Sequence, residues 1–304
     1  MAARFWRWIL SAVLLLALVP AATLAITRSA PVAAALAVAL GSAAALPVIF
    51  SGVSFAVARA CEQPRYSLAN LTLAAQTVFS EAVHFSRAIL TMSWNPREYS
   101  PPERASLAHP ARPVLLVHGI LCNRAIWRPL VARLHAAGFA PIHAINLEPL
   151  FADIDLQALS MVPELLALHE KSLGARVAIV SHSMGGLVTR ALLRSAGSEM
   201  ISRVITIACP HHGTRFVYGL RWPATRQMAW DSTWLQTLGT SEGGHFSVPF
   251  ASIYSVEDNL VAPAVSARLA GAQMYPMRGI GHLGMLSTQA ALDCVMAVLQ
   301  PPVV

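Results

Sequence analysis

Charged residues and cysteines are scarce in this chain of 304 residues. Only 12% of the residues are charged and 55% are hydrophobic, a composition poor in charge for a soluble protein. The four cysteines lie far apart and form no Cys-x-x-Cys pair; they are Cys61, Cys122, Cys209 and Cys294. This spacing favours free thiols over a disulfide framework or a zinc site.

A nucleic-acid partner is not expected either. The net charge is +7 and arginine far outnumbers lysine, but no motif interleaves aromatic and basic residues as nucleic-acid-binding proteins do. Arginines beside an apolar N-terminus favour contact with a membrane surface instead.

The first 60 residues hold much of the hydrophobic excess. Residues 8–27 form an uncharged run of about 20 residues, which is long enough to span a bilayer. Residues 29–58 form a second uncharged run that is rich in alanine. Trp6 and Trp8 lie where interfacial aromatic residues would anchor the first run. We therefore predict that residues 1–60 form a membrane anchor, a hairpin of two transmembrane helices.

Arginines flank both runs and predict the orientation of this anchor. Arginines at positions 4 and 7 precede the first run, Arg28 alone separates the runs, and Arg59 and Arg65 follow the second. The positive-inside rule then places both ends in the cytoplasm, so we expect the rest of the chain on the cytoplasmic side of a bacterial inner membrane. Two alternatives stay open: a single uncleaved span, and a cleaved signal peptide that would make the protein periplasmic or secreted.

Residues 61–111 are predicted to form an amphipathic helix followed by a proline-rich linker. Apolar residues recur at helical spacing from Leu68 to Leu90. The opposite side carries Gln76, Glu81, His84 and Arg87. We expect the helix either to lie on the membrane or to pack on the following domain, with His84 at the surface. Residues 95–113 contain five prolines and mark the domain boundary.

Residues 112–304 alternate between short apolar runs and helical patterns. Strands are predicted at residues 113–117, 142–146, 176–180, 204–208, 250–255 and 273–278. Helices are predicted at residues 125–137, 156–172, 184–195 and 286–299. This order predicts a mostly parallel sheet covered by helices on both faces. Sites on such sheets gather where strands end, and His118, Ser183, Asp258 and His282 all follow predicted strands.

Residues 181–186, Ser-His-Ser-Met-Gly-Gly, join a buried strand directly to a helix. This is the layout of a nucleophile elbow, which displays a serine on a tight, strained turn and needs small residues around it. We therefore predict Ser183 as a nucleophile, with Ser181 where such turns usually carry glycine. An ordinary turn with Ser183 as a helix N-cap stays the alternative.

This stretch, together with His118-Gly119-Ile120 and residues 210–214 (Pro-His-His-Gly-Thr), resembles the α/β-hydrolases, and specifically bacterial triacylglycerol lipases and esterases. The resemblance covers about residues 112–299. It implies the α/β-hydrolase fold and a serine hydrolase that acts on carboxylic esters. It implies no cofactor and no metal, because the Asp that calcium-binding lipases often carry soon after the catalytic His has no counterpart near Gly284.

The resemblance also implies the partners of the nucleophile, which follow in the order serine, acid, histidine in this fold. The acid falls on Asp258, before Asn-Leu-Val, and Glu257 stays the alternative. His282, in a loop flanked by glycines, is expected to be the base that activates the hydroxyl, with His245 as its rival.

The negative oxygen formed during acyl transfer needs two aimed N–H donors. One donor would be the amide of Met184, which follows the nucleophile, and the resemblance to His-Gly-x loops implies Ile120 as the other. His118 is expected to brace that loop. His182 and His211 are expected to be structural. His212 is similarly placed, and no catalytic or binding role is assigned to it.

Residues 215–248 form a long excursion rich in aromatic residues, either a lid over the site or ordinary packing. No substrate-binding residue is assigned and the oligomeric state stays open. The sequence thus predicts a membrane-anchored hydrolase of apolar, lipid-like esters. An acyltransferase or thioesterase with the same triad, and a membrane interaction protein with an inactive hydrolase domain, stay open as alternatives.

Overall fold

A parallel sheet forms the centre of the computed structural model, which describes residues 1–28, 32–61, 71–94 and 111–300. Within these residues the sheet has six strands: β1 (Val114–Val117), β2 (Ile142–Ala144), β3 (Val177–His182), β4 (Ile201–Ile207), β5 (Phe250–Ser255) and β6 (Gln273–Met277). Their spatial order is β2-β1-β3-β4-β5-β6, and every neighbouring pair is parallel. The carboxyl ends of all strands therefore lie at one edge of the sheet.

The helices of the described residues are α1 (Ala2–Arg28), α2 (Val32–Cys61), α3 (Leu71–Trp94), α4 (Arg128–Ala136), α5 (Ile154–Lys171), α6 (Met184–Ala196), α7 (Pro223–Gln227), α8 (Thr233–Glu242) and α9 (Gln289–Leu299). Short 3₁₀ turns occupy Arg124–Trp127, Arg215–Val217, Ala264–Ala267 and Gly284–Leu286. The predicted alternation of strands and helices is confirmed. The last helix begins at Gln289 rather than residue 286, because a 3₁₀ turn occupies the residues before it. Most of the predicted linker, residues 95–110, lies outside the described residues.

Two apolar layers cover the two faces of the sheet. One layer combines α4 and α9 with the end of α3, through residues such as Trp127, Leu130 and Met92. The other combines α5 and α6 with α7 and α8, through residues such as Leu165 and Leu187. Since β1 and β3 are buried along their whole length, they read as continuous apolar runs in the sequence.

Helix α3 packs on this domain. The Asn123 side chain donates a hydrogen bond of 3.0 Å to the carbonyl of Met92, near the end of α3. The surface position predicted for His84 is wrong: the ring is half-buried, and its Nδ1 lies 2.7 Å from the Ser287 hydroxyl. Glu81 and His84 thus face the domain together with the apolar Phe85 and Met92, whereas Phe79 on the other side is 65% exposed.

Among the described residues, one helical stretch, Ala37–Cys61, is long and apolar enough to cross a membrane. Length and composition are the only grounds for this assignment, and buried core helices and signal sequences share both properties. The predicted hairpin of two spans stays a prediction. All four cysteines are free, and Cys122 and Cys209 are buried.

A buried ion pair joins α6 to α8. The Arg190 guanidinium, 1% exposed, donates two hydrogen bonds to the Glu242 carboxylate, at 2.8 and 2.6 Å. A third bond, of 2.8 Å, reaches the carbonyl of His211. On the same helix Arg194 pairs with Asp155 at a more exposed position.

We expect Arg190→Met to lower the free energy of unfolding by roughly 3–5 kcal/mol, because it leaves the Glu242 carboxylate without its partner inside the protein. The matched control, Arg194→Met, should cost less than about 1 kcal/mol, since exposed ion pairs contribute little. Urea unfolding of both full-length variants in detergent measures the difference. Equal losses in the two variants would contradict the buried position of Arg190.

Candidate active site

Ser183 lies on a strained turn at the carboxyl edge of the sheet. Strand β3 ends at His182 and α6 begins at Met184, so Ser183 alone connects them. Its backbone has φ 54° and ψ −128°, a conformation that residues with a side chain rarely adopt. The Ser183 N–H donates to the carbonyl of Ile207 over 2.9 Å, which ties the turn to β4. The strained geometry is that of a nucleophile elbow.

Small residues surround this turn because the chain passes very close to its neighbours. A β-carbon added at Gly185 would lie 2.5 Å from the carbonyl oxygen of Val117 and 2.6 Å from that of His118. One added at Gly186 would lie 2.5 Å from the Cys209 sulfur. Ser181 lies within β3, paired with β1 and β4 on either side and fully buried. A serine fits there because its side chain bonds weakly, at 3.4 Å, to the carbonyl of Ile205.

The loop after β1 lies directly against the turn. A β-carbon added at Gly119 would be 2.8 Å from the β-carbon of Ser183, so only glycine allows this approach. Within the described residues, the amides of Ile120 and Met184 donate no hydrogen bond. Neither predicted donor therefore has an acceptor within the described residues, and a developing oxyanion requires donors that are free in this way.

His118 supports this loop through two hydrogen bonds of its ring. Its Nε2 accepts a hydrogen bond of 3.0 Å from the amide of Leu147, which leaves the proton on Nδ1 to reach the carbonyl of Gly119 at 2.8 Å. Burial lowers the pKa of His118 to about 4, and its bond to Gly119 offsets this only in part. The ring therefore stays neutral near pH 7 and acts as a fixed brace.

Asp258 and His282 come together after β5 and β6. The His282 Nδ1 lies 2.9 and 3.0 Å from the two carboxylate oxygens of Asp258, and their side chains are only 3% and 2% exposed. The carboxylate also accepts 2.8 Å hydrogen bonds from the amides of Leu260 and Val261. The contact with the carboxylate places the proton of His282 on Nδ1, so Nε2 has a free lone pair.

Burial by itself lowers the pKa of the His282 imidazole. The charge and the hydrogen bond of Asp258 act in the opposite direction, the charge of Glu81 adds to them, and together they raise this pKa above its ordinary value. The ring is thus made more basic by its partners, which is what proton abstraction from a hydroxyl requires.

The rivals of these two residues have other contacts. Glu257 Oε2 accepts a hydrogen bond of 2.8 Å from the amide of Gly279. His245 is exposed in the loop after α8. Neither contacts the Asp258–His282 pair through a hydrogen bond in the part of the chain that the structure describes.

The structure does not join Ser183 to His282 directly. Across the described residues no hydrogen bond links the Ser183 hydroxyl to the imidazole. The two loops meet through His182, whose ring centroid lies 4.7 Å from that of His282. Burial lowers the pKa of His182 well below its usual range, so this neighbouring ring is neutral.

The remaining histidines contact the scaffold. The His211 Nε2 lies 3.0 Å from the Thr206 hydroxyl, and burial lowers its pKa well below the usual range. The His212 amide bonds to the Ser266 side chain at 3.2 Å. In the described residues no group of three or more His, Cys, Asp or Glu side chains is placed to hold a metal ion.

Residues 215–248 are tied to α5 by side-chain hydrogen bonds. The Trp234 indole donates to Asp155 at 2.8 Å, and the Gln227 amide donates to Asp153 at 2.8 Å. Trp222 stacks on Phe151 with ring centroids 4.5 Å apart. These contacts favour packing over a lid for this segment.

Sequence reasoning missed the support of the His282 loop. Asn259 Oδ1 accepts a hydrogen bond of 2.9 Å from the amide of His282, and its Nδ2 donates to Ser54 of α2 at 2.8 Å. Glu81 of α3 accepts from the amides of Leu283 and Gly284. The spacing of Glu81 indicates its position. It lies three residues after Val78 and four before Phe85, so it falls at the border of the apolar side of its helix, where it can reach the domain.

Residues 83–279 match a family described as a domain of unknown function, DUF7379, and they make up more than half of the chain. The chain belongs to this family. No curated protein sequence matches it significantly.

Solved structures show the fold of this family member. The mature form of Bacillus licheniformis lipase BlEst2 superimposes with a TM-score of 0.56 at 16% identity, covering 66% of this chain and 96% of that one. Aspergillus fumigatus lipase B gives a TM-score of 0.52 at 20% identity, covering 68% of this chain and 60% of that one. The predicted α/β-hydrolase fold is confirmed; at these identities the likeness carries the fold and not the reaction.

We expect Gly185→Ala to destabilise the chain by about 1–3 kcal/mol or more, because the added methyl group overlaps the carbonyl oxygens of β1 and its loop. The control, Gly239→Ala in α8, has no atom within 4 Å of the added carbon and should stabilise by about 0.5–1 kcal/mol. Urea unfolding measures both variants. A Gly185→Ala chain as stable as wild type would rule out this close approach of α6 to β1.

Proposed function

We propose that this protein is a membrane-anchored serine hydrolase that cleaves carboxylic esters, similar to bacterial lipases. One observation carries the proposal: the Asp258-paired imidazole of His282 and the strained Ser183 turn share the carboxyl edge of one parallel sheet. The amides of Ile120 and Met184, which have no acceptor within the described residues, would complete the groups that acyl transfer needs.

In the proposed reaction His282 Nε2 takes the proton of the Ser183 hydroxyl while its oxygen attacks the ester carbonyl. The bond to the carbonyl carbon forms as the carbonyl oxygen becomes negative and accepts hydrogen bonds from the amides of Ile120 and Met184. The imidazolium, stabilised by Asp258, then protonates the leaving alcohol, and the carbon–oxygen bond breaks to give an acyl-enzyme. Water repeats these steps with His282 as base, which releases the acid and restores Ser183.

The nature of the surface around the site supports an apolar substrate. The outer side of α3 exposes Leu73, Phe79, Val83 and Leu90, at 40%, 65%, 42% and 49%. Helix α2 exposes further apolar residues, among them Val53 and Val57. Apolar surface of this extent on helices beside an active site fits contact with lipid, and hence esters with long acyl chains.

The ends of α1 and α2 support the proposed hairpin. Near the start of α1, Trp6 Nε1 donates to the carbonyl of Leu121 at 2.7 Å. Near the end of α2, Ser54 bonds to Asn259. Both outer ends of the two helices therefore contact the hydrolase domain. This is the topology of an anchor with both ends on the same side of a membrane as the domain.

Ser183→Ala is expected to abolish covalent labelling by a fluorophosphonate probe and to lower hydrolysis of 4-nitrophenyl esters by roughly 10⁴-fold or more, because the nucleophile is lost. Ser195→Ala, on the same helix, is the control and should be labelled like the wild type. The assay compares short- and long-chain esters with thioesters. A folded wild-type protein that the probe does not label would refute the hydrolase proposal.

The anchor is expected to hold the full-length chain in the membrane pellet after alkaline carbonate extraction. With both ends cytoplasmic, alkaline phosphatase fused to the C-terminus should be inactive, whereas the same enzyme fused after Ser29, between the two runs, should be active. An active C-terminal fusion would refute the proposed orientation and place the hydrolase domain outside the cytoplasm.

A further inference from the structure

Glu81 reaches from α3 into the hydrolase domain and binds the loop that carries His282. Its side chain is buried, and the residue is only 2% exposed. One carboxylate oxygen accepts a hydrogen bond of 2.8 Å from the amide of Leu283, and the other accepts one of 2.9 Å from the amide of Gly284. These are the two residues that directly follow His282.

The loop is shaped to receive this carboxylate. A β-carbon added at Gly281 would lie 2.5 Å from Glu81 Cδ and 2.5 Å from its Oε2. One added at Gly284 would lie 3.4 Å from the same Oε2. Any side chain at position 281 would displace Glu81, so the glycine on one side of His282 is explained by contact with α3.

We propose that Glu81 is a positioning residue: by holding the amides of Leu283 and Gly284, its carboxylate fixes the His282 loop in the geometry that proton transfer needs. The inference rests on the proposed esterase function and deepens it. Helix α3 precedes the hydrolase domain in the sequence, and this role makes it part of the proposed site. Glu81 acts through the backbone of the loop and does not touch the substrate.

A carboxylate suits this task better than a neutral side chain. Both of its oxygens accept, so two neighbouring N–H groups are satisfied at once, and hydrogen bonds to a charged acceptor are the stronger ones. A glutamine retains one acceptor and turns an NH₂ group towards the second amide, which leaves a buried donor unpaired. The negative charge also favours the protonated form of His282.

Several charged or titratable groups surround this contact and bear on its pH dependence. His282 and Asp258 belong to the hydrolase domain, and His84 lies on α3 next to the loop. Arg59 of α2 lines an adjoining cavity with Arg278, Glu257 and Asp258. Burial raises the pKa of Glu81 to about 7, while the two amides and His282 lower it and Asp258 raises it further.

The test compares full-length Glu81→Gln, Glu81→Ala and Glu81→Asp with the control Glu170→Gln, which removes an exposed carboxylate from α5. Each rate is divided by the fraction of protein that the fluorophosphonate probe labels, so unfolded protein does not count. We expect kcat per labelled site to fall about 10- to 100-fold in the Gln and Ala variants with little change in KM, because misplacing a catalytic group by about 1 Å has an effect of this size. Glu81→Asp, which keeps the charge and both oxygens, should recover part of the rate lost in Glu81→Ala.

The pH profile gives a readout that a merely structural role would not move, and amide exchange tests the contact with the loop itself. In Glu81→Gln the acid limb of kcat/KM should shift to lower pH, because the charge that favours protonated His282 is gone. Hydrogen exchange of the Leu283 and Gly284 amides should accelerate in Glu81→Gln and stay unchanged in Glu170→Gln.

An unchanged rate per labelled site with an unshifted acid limb would overturn the positioning role. If the wild type is neither active nor labelled, the esterase proposal fails, and with it a role in catalysis. The exchange of the two amides would then still decide whether Glu81 fixes the loop, so the two failures are distinguishable.

Discussion

Three consecutive backbone amides hold His282, the proposed general base, in place. The N–H groups of His282, Leu283 and Gly284 all donate to side-chain oxygens from other parts of the chain, the first to Asn259 and the next two to Glu81. The loop needs such partners because β6 is an edge strand whose residues are half-buried or exposed. Each buried N–H left unpaired would cost about 1–3 kcal/mol, so the position of the imidazole depends on these contacts as much as on Asp258.

Because of this arrangement, the helices that precede the α/β-hydrolase fold are part of the candidate site. Each of the three reaches a loop at the carboxyl edge of the sheet: α1 through Trp6 to the loop after β1, α2 through Ser54 to Asn259, and α3 through Glu81 to the His282 loop. Loops at this edge are free to vary in α/β folds, and here their positions are set from outside the sheet. A fragment beginning at residue 112 would keep the six strands and lose all three supports.

The sequence predicts the sheet well because buried parallel strands have a simple pattern. The run that becomes β1 and the first four residues of β3 are continuous and apolar, and the strand–helix turn at Ser183 is recognisable from its small neighbours. Asp258 is different: spacing alone leaves Glu257 equally possible, and only the family resemblance separates them. The structure assigns distinct contacts to the two, since Glu257 bonds to Gly279 and Asp258 to His282.

Packing of α3 on the domain was one of the two expected arrangements, but the polar residues that it buries were not predicted, for a physical reason. Helical periodicity identifies two sides of a helix but not which side is buried, and the usual assumption sends the polar side to water. Here Glu81 and His84 face the domain together with the apolar Phe85 and Met92, while Phe79 and Val83 are exposed on the other side.

The burial of Glu81 has a cost that a purely structural residue would avoid. Its pKa is raised from an ordinary value of 4.5 to about 7, so the folded state holds this proton more tightly than the unfolded state. Below about pH 4.5 this difference contributes on the order of 3 kcal/mol to the free energy of unfolding. The contribution is lost as the pH rises through about 7. At neutral pH and above, an apolar side chain in a repacked loop would serve stability better. The carboxylate at this position is therefore explained by its effect on His282. Its two oxygens hold the His282 loop, and its charge favours the protonated imidazole.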